Sequence, residues 1–241
     1  MNTALLTIDD TPSRNTPALV DFLKEKNIRP ILFSVGENIE KHYQEALYAV
    51  KQGFILGNHS YSHQHFSLLS PEEAISDIEK CEALLEMLYR DAGIPRLYRP
   101  FRFPYGDKGE KNKAALQQYL KERAFDKVDD TMISFPWWKE HHMDTDVDTF
   151  WTFDFEEYQL YLNPEFTLKT IWDKIHDRNP KAGAALFAEN HRHILLMHDH
   201  DETESLLPGY YRLFLDALLQ QGLTFDSPRF LKPSQEKSSV L

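Results

Sequence analysis

Two acidic residues side by side, Asp9 and Asp10, follow the apolar run Leu5-Leu6-Thr7-Ile8, and two histidines four residues apart, His59 and His63, follow the run Phe54-Ile55-Leu56. Adjacent carboxylates repel; a bound cation relieves the repulsion and leaves the second carboxylate free to act as a base. An Asp pair before Pro12 is also the composition of a solvated turn. The four-residue offset of the histidines can bring both imidazoles to one side of a helical turn. Zinc favours tetrahedral nitrogen and oxygen ligands and keeps one position open for water in catalytic sites, so Asp10, His59 and His63 form a candidate metal triad. No glutamate stands between the two histidines, which leaves Asp9 as the supplier of base. A lone histidine pair is more often structural, but the placement of both pairs at strand ends weighs against that reading. His65 has a less apt offset and reads as a loop residue.

Such residues act together only if their strands end together. Apolar runs at 5–8, 31–33, 54–56, 97–101, 150–153 and 194–197 alternate with amphipathic stretches, an order that implies parallel strands joined by helices. In parallel α/β architectures ligand and catalytic groups gather at the carboxyl ends of the strands. Asn15-Thr16-Pro17 predicts a helix running to Lys26 with Leu19, Phe22 and Leu23 on one face. Ser70-Pro71 with Glu73 predicts a capping box, a helix burying Ile75, Ile78, Leu85 and Leu88, and a stop near Gly93. Two later helices carry Leu168, Ile171, Trp172 and Ile175, and then Tyr211, Phe214, Leu218 and Leu219 before Gly222. Residues 129–148, rich in Asp and aromatic side chains, read as an inserted loop long enough to cover a site. Within it, Trp137 and Trp138 suit either stacking on sugar rings or packing onto the domain. Asp144, Asp146 and Asp148 have the spacing of a calcium loop, but Thr149 stands where that loop needs glycine, so a solvated acidic loop is the reading.

The chain has 241 residues, of which 41% are hydrophobic and 27% charged, which fits one α/β domain over residues 1–226 and a polar tail over 227–241. A formal net charge of −11 argues against a nucleic-acid partner, which would require clustered Lys and Arg; a neutral or cationic ligand fits better. No run approaches the roughly 18 apolar residues that span a bilayer, and no secretory leader precedes the first strand. As it stands the chain reads as cytoplasmic; a chain whose leader had been removed would read the same and be exported. Cys81, the one cysteine, sits in an apolar helical stripe and reads as core. Other histidines, at 141, 142, 191, 193 and 200, form no convincing second metal set and default to surface or supporting roles. Nothing in the sequence reports an oligomeric state.

Collinear motifs give these residues a context. Thr7-Ile8-Asp9-Asp10-Thr11-Pro12 resembles the Thr-Phe-Asp-Asp-Gly-Pro motif of the polysaccharide deacetylase family (carbohydrate esterase family 4), and His59 to His63 resembles its His-(Ser/Thr)-x-x-His motif. Arg99-Pro100-Phe101-Arg102-Phe103-Pro104-Tyr105-Gly106 matches its Arg-x-Phe-Arg-x-Pro-Tyr-Gly motif in full, and Leu196-Met197-His198 is similar to its Leu-x-His motif. Asp154-Phe155-Glu156-Glu157-Tyr158 stands for Asp-x-x-Asp-Trp, with Glu157 and Tyr158 in place of the family's Asp and Trp, and Thr11 stands where the family has glycine. The resemblance implies a distorted (β/α) barrel. It also implies roles: Asp9 the general base, Asp10, His59 and His63 the metal ligands, His198 the general acid, and Arg102 the partner of Asp9. Tyr105 would offer its backbone N–H to the oxyanion, Asp154 or Glu157 would hold His198 protonated, Leu196 would line the acetyl pocket, and Tyr158 would shape the substrate site.

The expected reaction is metal-dependent removal of N-acetyl groups from an amino-sugar polymer or oligosaccharide, with one divalent ion. Zinc is the first expectation, and Co2+, Ni2+ or Mn2+ are compatible. The same groups would also serve an O-acetyl esterase or another small-amide hydrolase. A glycan-binding module without turnover would retain the motifs but not need the acid, base and metal together.

Overall fold

The computed structural model describes residues 2–187 and 191–231. Six strands appear in chain order: β1 (Thr3–Thr11), β2 (Ile31–Ser34), β3 (Ile55–Asn58), β4 (Phe153–Asp154), β5 (Arg192–His198) and β6 (Thr224–Phe225). Ten α-helices accompany them: α1 (Thr16–Glu25), α2 (Gly36–Lys41), α3 (Tyr43–Lys51), α4 (Pro71–Ala92), α5 (Lys113–Glu122), α6 (Pro136–Glu140), α7 (Gln159–Leu162), α8 (Leu168–His176), α9 (Asp201–Leu206) and α10 (Tyr210–Gln220). All strand pairings are parallel, in the order β3-β2-β1-β5-β4, with the short β6 beside the start of β1. Residues 4–11 of β1 are all buried, as befits a central parallel strand covered on both faces.

The sheet closes on itself. Asn58 N–H donates to the Pro100 carbonyl at 2.9 Å and Arg102 N–H to the Asn58 carbonyl at 3.0 Å, placing residues 100–102 beside β3. Thr149 N–H then donates to the Phe101 carbonyl at 2.8 Å, and Thr152 N–H to Ile194 on β5 at 2.8 Å, which completes the ring. The result is a single α/β domain built as a distorted (β/α) barrel, in which two irregular segments stand where regular strands would be. The strand expected over 97–101 is therefore corrected to one bridge at Phe101. Pro95 and Pro100 bring no N–H to a ladder, and Leu97 and Tyr98 are exposed.

Local signals set the helix ends. In α4, Ser70 Oγ accepts from Glu73 N–H and Glu73 returns the bond to Ser70 N–H, a reciprocal cap worth about 1 kcal/mol, while Gly93 ends the helix in the left-handed conformation. The helix buries Ala74, Ile78, Leu85 and Leu88; Ile75 is only half-buried.

The 129–148 segment differs from the expected loop over a site. It contains α6, and Trp138 is buried with its Nε1–H donating to Asp130 at 2.9 Å. Two of the three spaced acidic residues, Asp146 and Asp148, are buried rather than solvated: the Lys108 ammonium lies 2.7 Å from Asp146 and 3.2 Å from Asp148, a cation supplied by the chain itself. At the carboxyl end, Asp129 N–H donates to Arg229 and Leu231 N–H to Lys127, so the polar tail is pinned to the domain as far as Leu231. Residues 232–241 of that tail lie outside the described residues. Among the described residues no helix is long and apolar enough to cross a membrane.

Candidate active site

The carboxyl ends of β1, β3 and β5 open into a cleft of about 530 Å³. Asp9, Asp10, His59, His63, His198 and His200 line it, with Leu196 and Trp151. Asp9 pairs in register with His198 on the neighbouring strand, so the two expected proton carriers are set by the β1–β5 ladder.

Near the end of β1 its pairing with β2 shifts register between Ile8 and Thr11, and Asp10 within that stretch has φ 62°, a left-handed conformation that Asp tolerates better than most residues. Thr11 is not among the positive-φ residues, so the position where the family has glycine demands no glycine here. The histidine pair does not lie on a helical turn, as its spacing suggested. Residues 59–63 form a bend with Ser60 and His63 in left-handed conformations (φ 64° and 53°). Side chains hold this bend: Asn58 Oδ1 accepts from Ser60 N–H, Ser60 Oγ accepts from His63 N–H, and Asp77 of α4 accepts from both N–H groups of Tyr61 and Ser62. Side-chain acceptors take the place of helical carbonyls, and both imidazoles still face Asp10.

His59 Nδ1 lies 2.8 Å from the Arg102 carbonyl oxygen, an acceptor only, so Nδ1 carries the proton and Nε2 presents its lone pair. Asp10 Oδ1 lies 3.7 Å from His59 Nε2 and 3.1 Å from His63 Nε2, yet it is buried and forms no hydrogen bond. One ligand atom from each of Asp10, His59 and His63 lies within 4.8 Å of the other two. A bare carboxylate oxygen converging with imidazole nitrogens fits a divalent ion, and two nitrogens with one oxygen suit zinc. Burial pushes the Asp10 pKa up, but His63 and His200 more than offset it and hold the carboxyl well below its ordinary range. Burial moves His59 down; for His63 burial acts the same way, but Asp10 outweighs it and the net shift is upward.

Arg102 engages one oxygen of Asp9, its Nη1 donating to Asp9 Oδ1 at 2.6 Å and to Thr7 Oγ1 at 2.8 Å, while Asp9 Oδ2 lies 3.3 Å from His59 Nε2. The Arg102 Nε–H donates to the Thr149 carbonyl at 3.0 Å, and the guanidinium lies 4.4 Å from the Phe33 ring centre. Both charges are buried, and removing either partner of such a pair costs about 3–5 kcal/mol. At the end of β5, His198 Nδ1 lies 3.3 Å from Glu157 Oε1, and the same carboxylate accepts from His198 N–H. Burial lowers the His198 pKa, but the charge and hydrogen bond of Glu157, with Asp154 behind it, push it up to about 10. Burial also pushes Asp154 up to about 6.

A family model described as polysaccharide deacetylase matches residues 1–122, half of the chain. The chain belongs to the polysaccharide deacetylase family. It is 38% identical over 104 residues to a peptidoglycan-N-acetylglucosamine deacetylase of Bacillus cereus, a match covering 42% of this chain and 36% of that protein. It is 30% identical over 114 residues to chitin deacetylase 1 of Cryptococcus neoformans, covering 47% of this chain and 23% of that protein. The matched stretches thus span well under two thirds of these relatives' own length. The solved structure of a polysaccharide deacetylase from Bacillus cereus superposes with a TM-score of 0.63 at 19% identity, over 94% of this chain and 92% of that one, a likeness of fold.

Within this family member, Tyr105 sits on the cleft rim with φ 58°, its ring 4.6 Å from that of His63 and stacked 3.9 Å from that of His65. Asp154, Tyr158 and Leu196 line the cleft, and Glu157 is fully buried against His198. Trp137 and Trp138 do not line it. Trp137 stacks on Phe135 and Trp138 is core, so the aromatic walls come instead from Trp151 and Tyr161. His200 was also missed as a site residue: its Nε2 lies 2.7 Å from Asp10 Oδ2. Its position two residues beyond His198, just past the same strand end, was the available signal.

Proposed function

We propose that this protein hydrolyses N-acetyl groups on an amino-sugar polymer or oligosaccharide, with zinc held by Asp10, His59 and His63. The observation that carries the reading is the separation of roles across one cleft: a bare Asp10 oxygen facing two imidazoles, a distinct carboxylate on Arg102, and a protonated imidazole opposite. Bound there, the ion would acidify a water and polarise the acetyl carbonyl. Asp9 would take the proton of the attacking water, with Arg102 holding the carboxylate in one orientation and Thr7 fixing Arg102. The Tyr105 N–H is the candidate donor to the carbonyl oxygen as charge develops on it. As the C–N bond breaks, His198 would give its proton to the departing nitrogen, and acetate and a free amine result. Leu196 would receive the acetyl methyl, and Tyr158 and Trp151 would flank the sugar.

A proton held firmly on His198 favours amide over ester hydrolysis, because an amine leaves only when protonated whereas an alkoxide leaves more readily without help. The names of the relatives, a peptidoglycan-N-acetylglucosamine deacetylase and a chitin deacetylase, support the same substrate class. Acetate release from chitin and peptidoglycan oligosaccharides in the presence of zinc tests the proposal. Wild type should release acetate, and Asp9→Asn should be slower by about 10²–10⁴-fold. Zinc-loaded wild type as inactive as Asp9→Asn on both substrates and on O-acetylated xylan would leave sugar binding without turnover as the better account.

A further inference from the structure

The two oxygens of Asp10 have different surroundings. Oδ1 faces His59 and His63 without a hydrogen bond, whereas Oδ2 lies 2.7 Å from His200 Nε2. His200 is itself held: its Nδ1 lies 3.2 Å from the Tyr161 hydroxyl on α7, and its backbone carbonyl accepts from Glu204 N–H at the first turn of α9. The Asp10 backbone is fixed as well, since its carbonyl accepts from Asn38 Nδ2 at 2.7 Å. Both ends of this aspartate are tied to the scaffold, and only Oδ1 remains uncommitted.

We propose that His200 is a positioning residue for the metal site, resting on the zinc reading above. Its Nε2–H occupies Oδ2, which turns Oδ1 toward the two histidines and keeps Asp10 a one-oxygen ligand. Tyr161 fixes the ring that does this. An unheld carboxylate rotates about its last bond and loses part of its ligand geometry to freedom, and partners of this kind govern about 10–100-fold in metal affinity. The arrangement joins α7, the loop after β5 and the end of β1 at a single carboxylate, over a sequence separation of 190 residues.

Zinc titration of chelator-stripped protein against a chromophoric competing chelator tests the proposal, with circular dichroism of each apo variant as the folding control. His200→Ala should bind zinc about 10–100-fold more weakly than wild type. His200→Gln, whose amide nitrogen can occupy the place of Nε2, should recover most of that loss, and Tyr161→Phe should show a smaller loss than His200→Ala. Wild-type affinity in His200→Ala would overturn the proposal. So would equal, full loss in His200→Ala and His200→Gln, which would make the imidazole a direct ligand. If His63→Ala binds zinc as tightly as wild type, the metal site itself is wrongly placed and both readings fall; His63→Ala weak with His200→Ala unchanged removes only the role of His200.

Discussion

At the ends of β1 and β3, burial holds the pKa of His59 down and leaves its Nε2 lone pair available; at the end of β5, an imidazole buried as deeply is pushed up to about 10. The carboxylates beside the two rings explain the contrast. Asp9, 3.3 Å from His59, favours a proton there, but its charge is shared with the Arg102 guanidinium at 2.6 Å, and burial outweighs it. Among the described residues Glu157 has no Lys or Arg partner, one of its oxygens is buried without a hydrogen bond, and His198 is the only cation within ion-pair distance. The same two residue types give an imidazole with a free lone pair at one strand end and a protonated one at the other, according to where the carboxylate's charge is shared.

Variants at the two strand ends should break the comparison most visibly. His63→Ala should lose tight zinc binding and, with it, acetate release to background. His198→Ala should slow acetate release by about 10²–10⁴-fold while zinc titrates as in wild type. Loss of zinc in His198→Ala would mean that the two roles are not separate. A gentler change sharpens the electrostatic side: Glu157→Gln removes the charge that raises His198, so the alkaline limb of kcat/KM should move to lower pH, by about 1–3 units, the usual reach of a close opposite charge. An unmoved limb would show that Glu157 does not hold the proton.

The smallest effect concerns an imidazole with no carboxylate beside it. His193 on β5 is buried, touches Thr152 Oγ1 at 3.2 Å, and burial, with His191 nearby, lowers its pKa to about 4. Because its folded pKa lies below its unfolded value, its contribution to stability is complete above about pH 6.5 and is lost as pH falls toward 4. The 2.5-unit difference corresponds to about 3 kcal/mol at ~1.4 kcal/mol per unit. Urea unfolding at pH 7 and pH 5 should show a larger acid-side loss in wild type than in His193→Asn, whose amide can keep the Thr152 contact; equal losses would place the acid sensitivity elsewhere.

By itself the sequence determined the alternation of strands and helices, the capped ends of α4, and the three residues whose ligand atoms converge beside the end of β1, because apolar periodicity, caps and short motifs act over a few neighbouring positions. It misplaced what depends on shape at a distance. The histidine spacing suggested a helical turn, but Asn58, Ser60 and Asp77 bend the chain and reach the same juxtaposition by another route. Trp137 and Trp138 could equally serve a sugar or the core, and the hydrogen bond to Asp130 and the burial of Trp138 placed them away from the cleft. Only the closed barrel brought His200 to Asp10, Lys108 to Asp146 and Asp148, and Phe101 to Thr149. These contacts join residues 38 to 190 positions apart, and no local pattern records which of several Asp, Lys or His side chains will meet once the ring has closed.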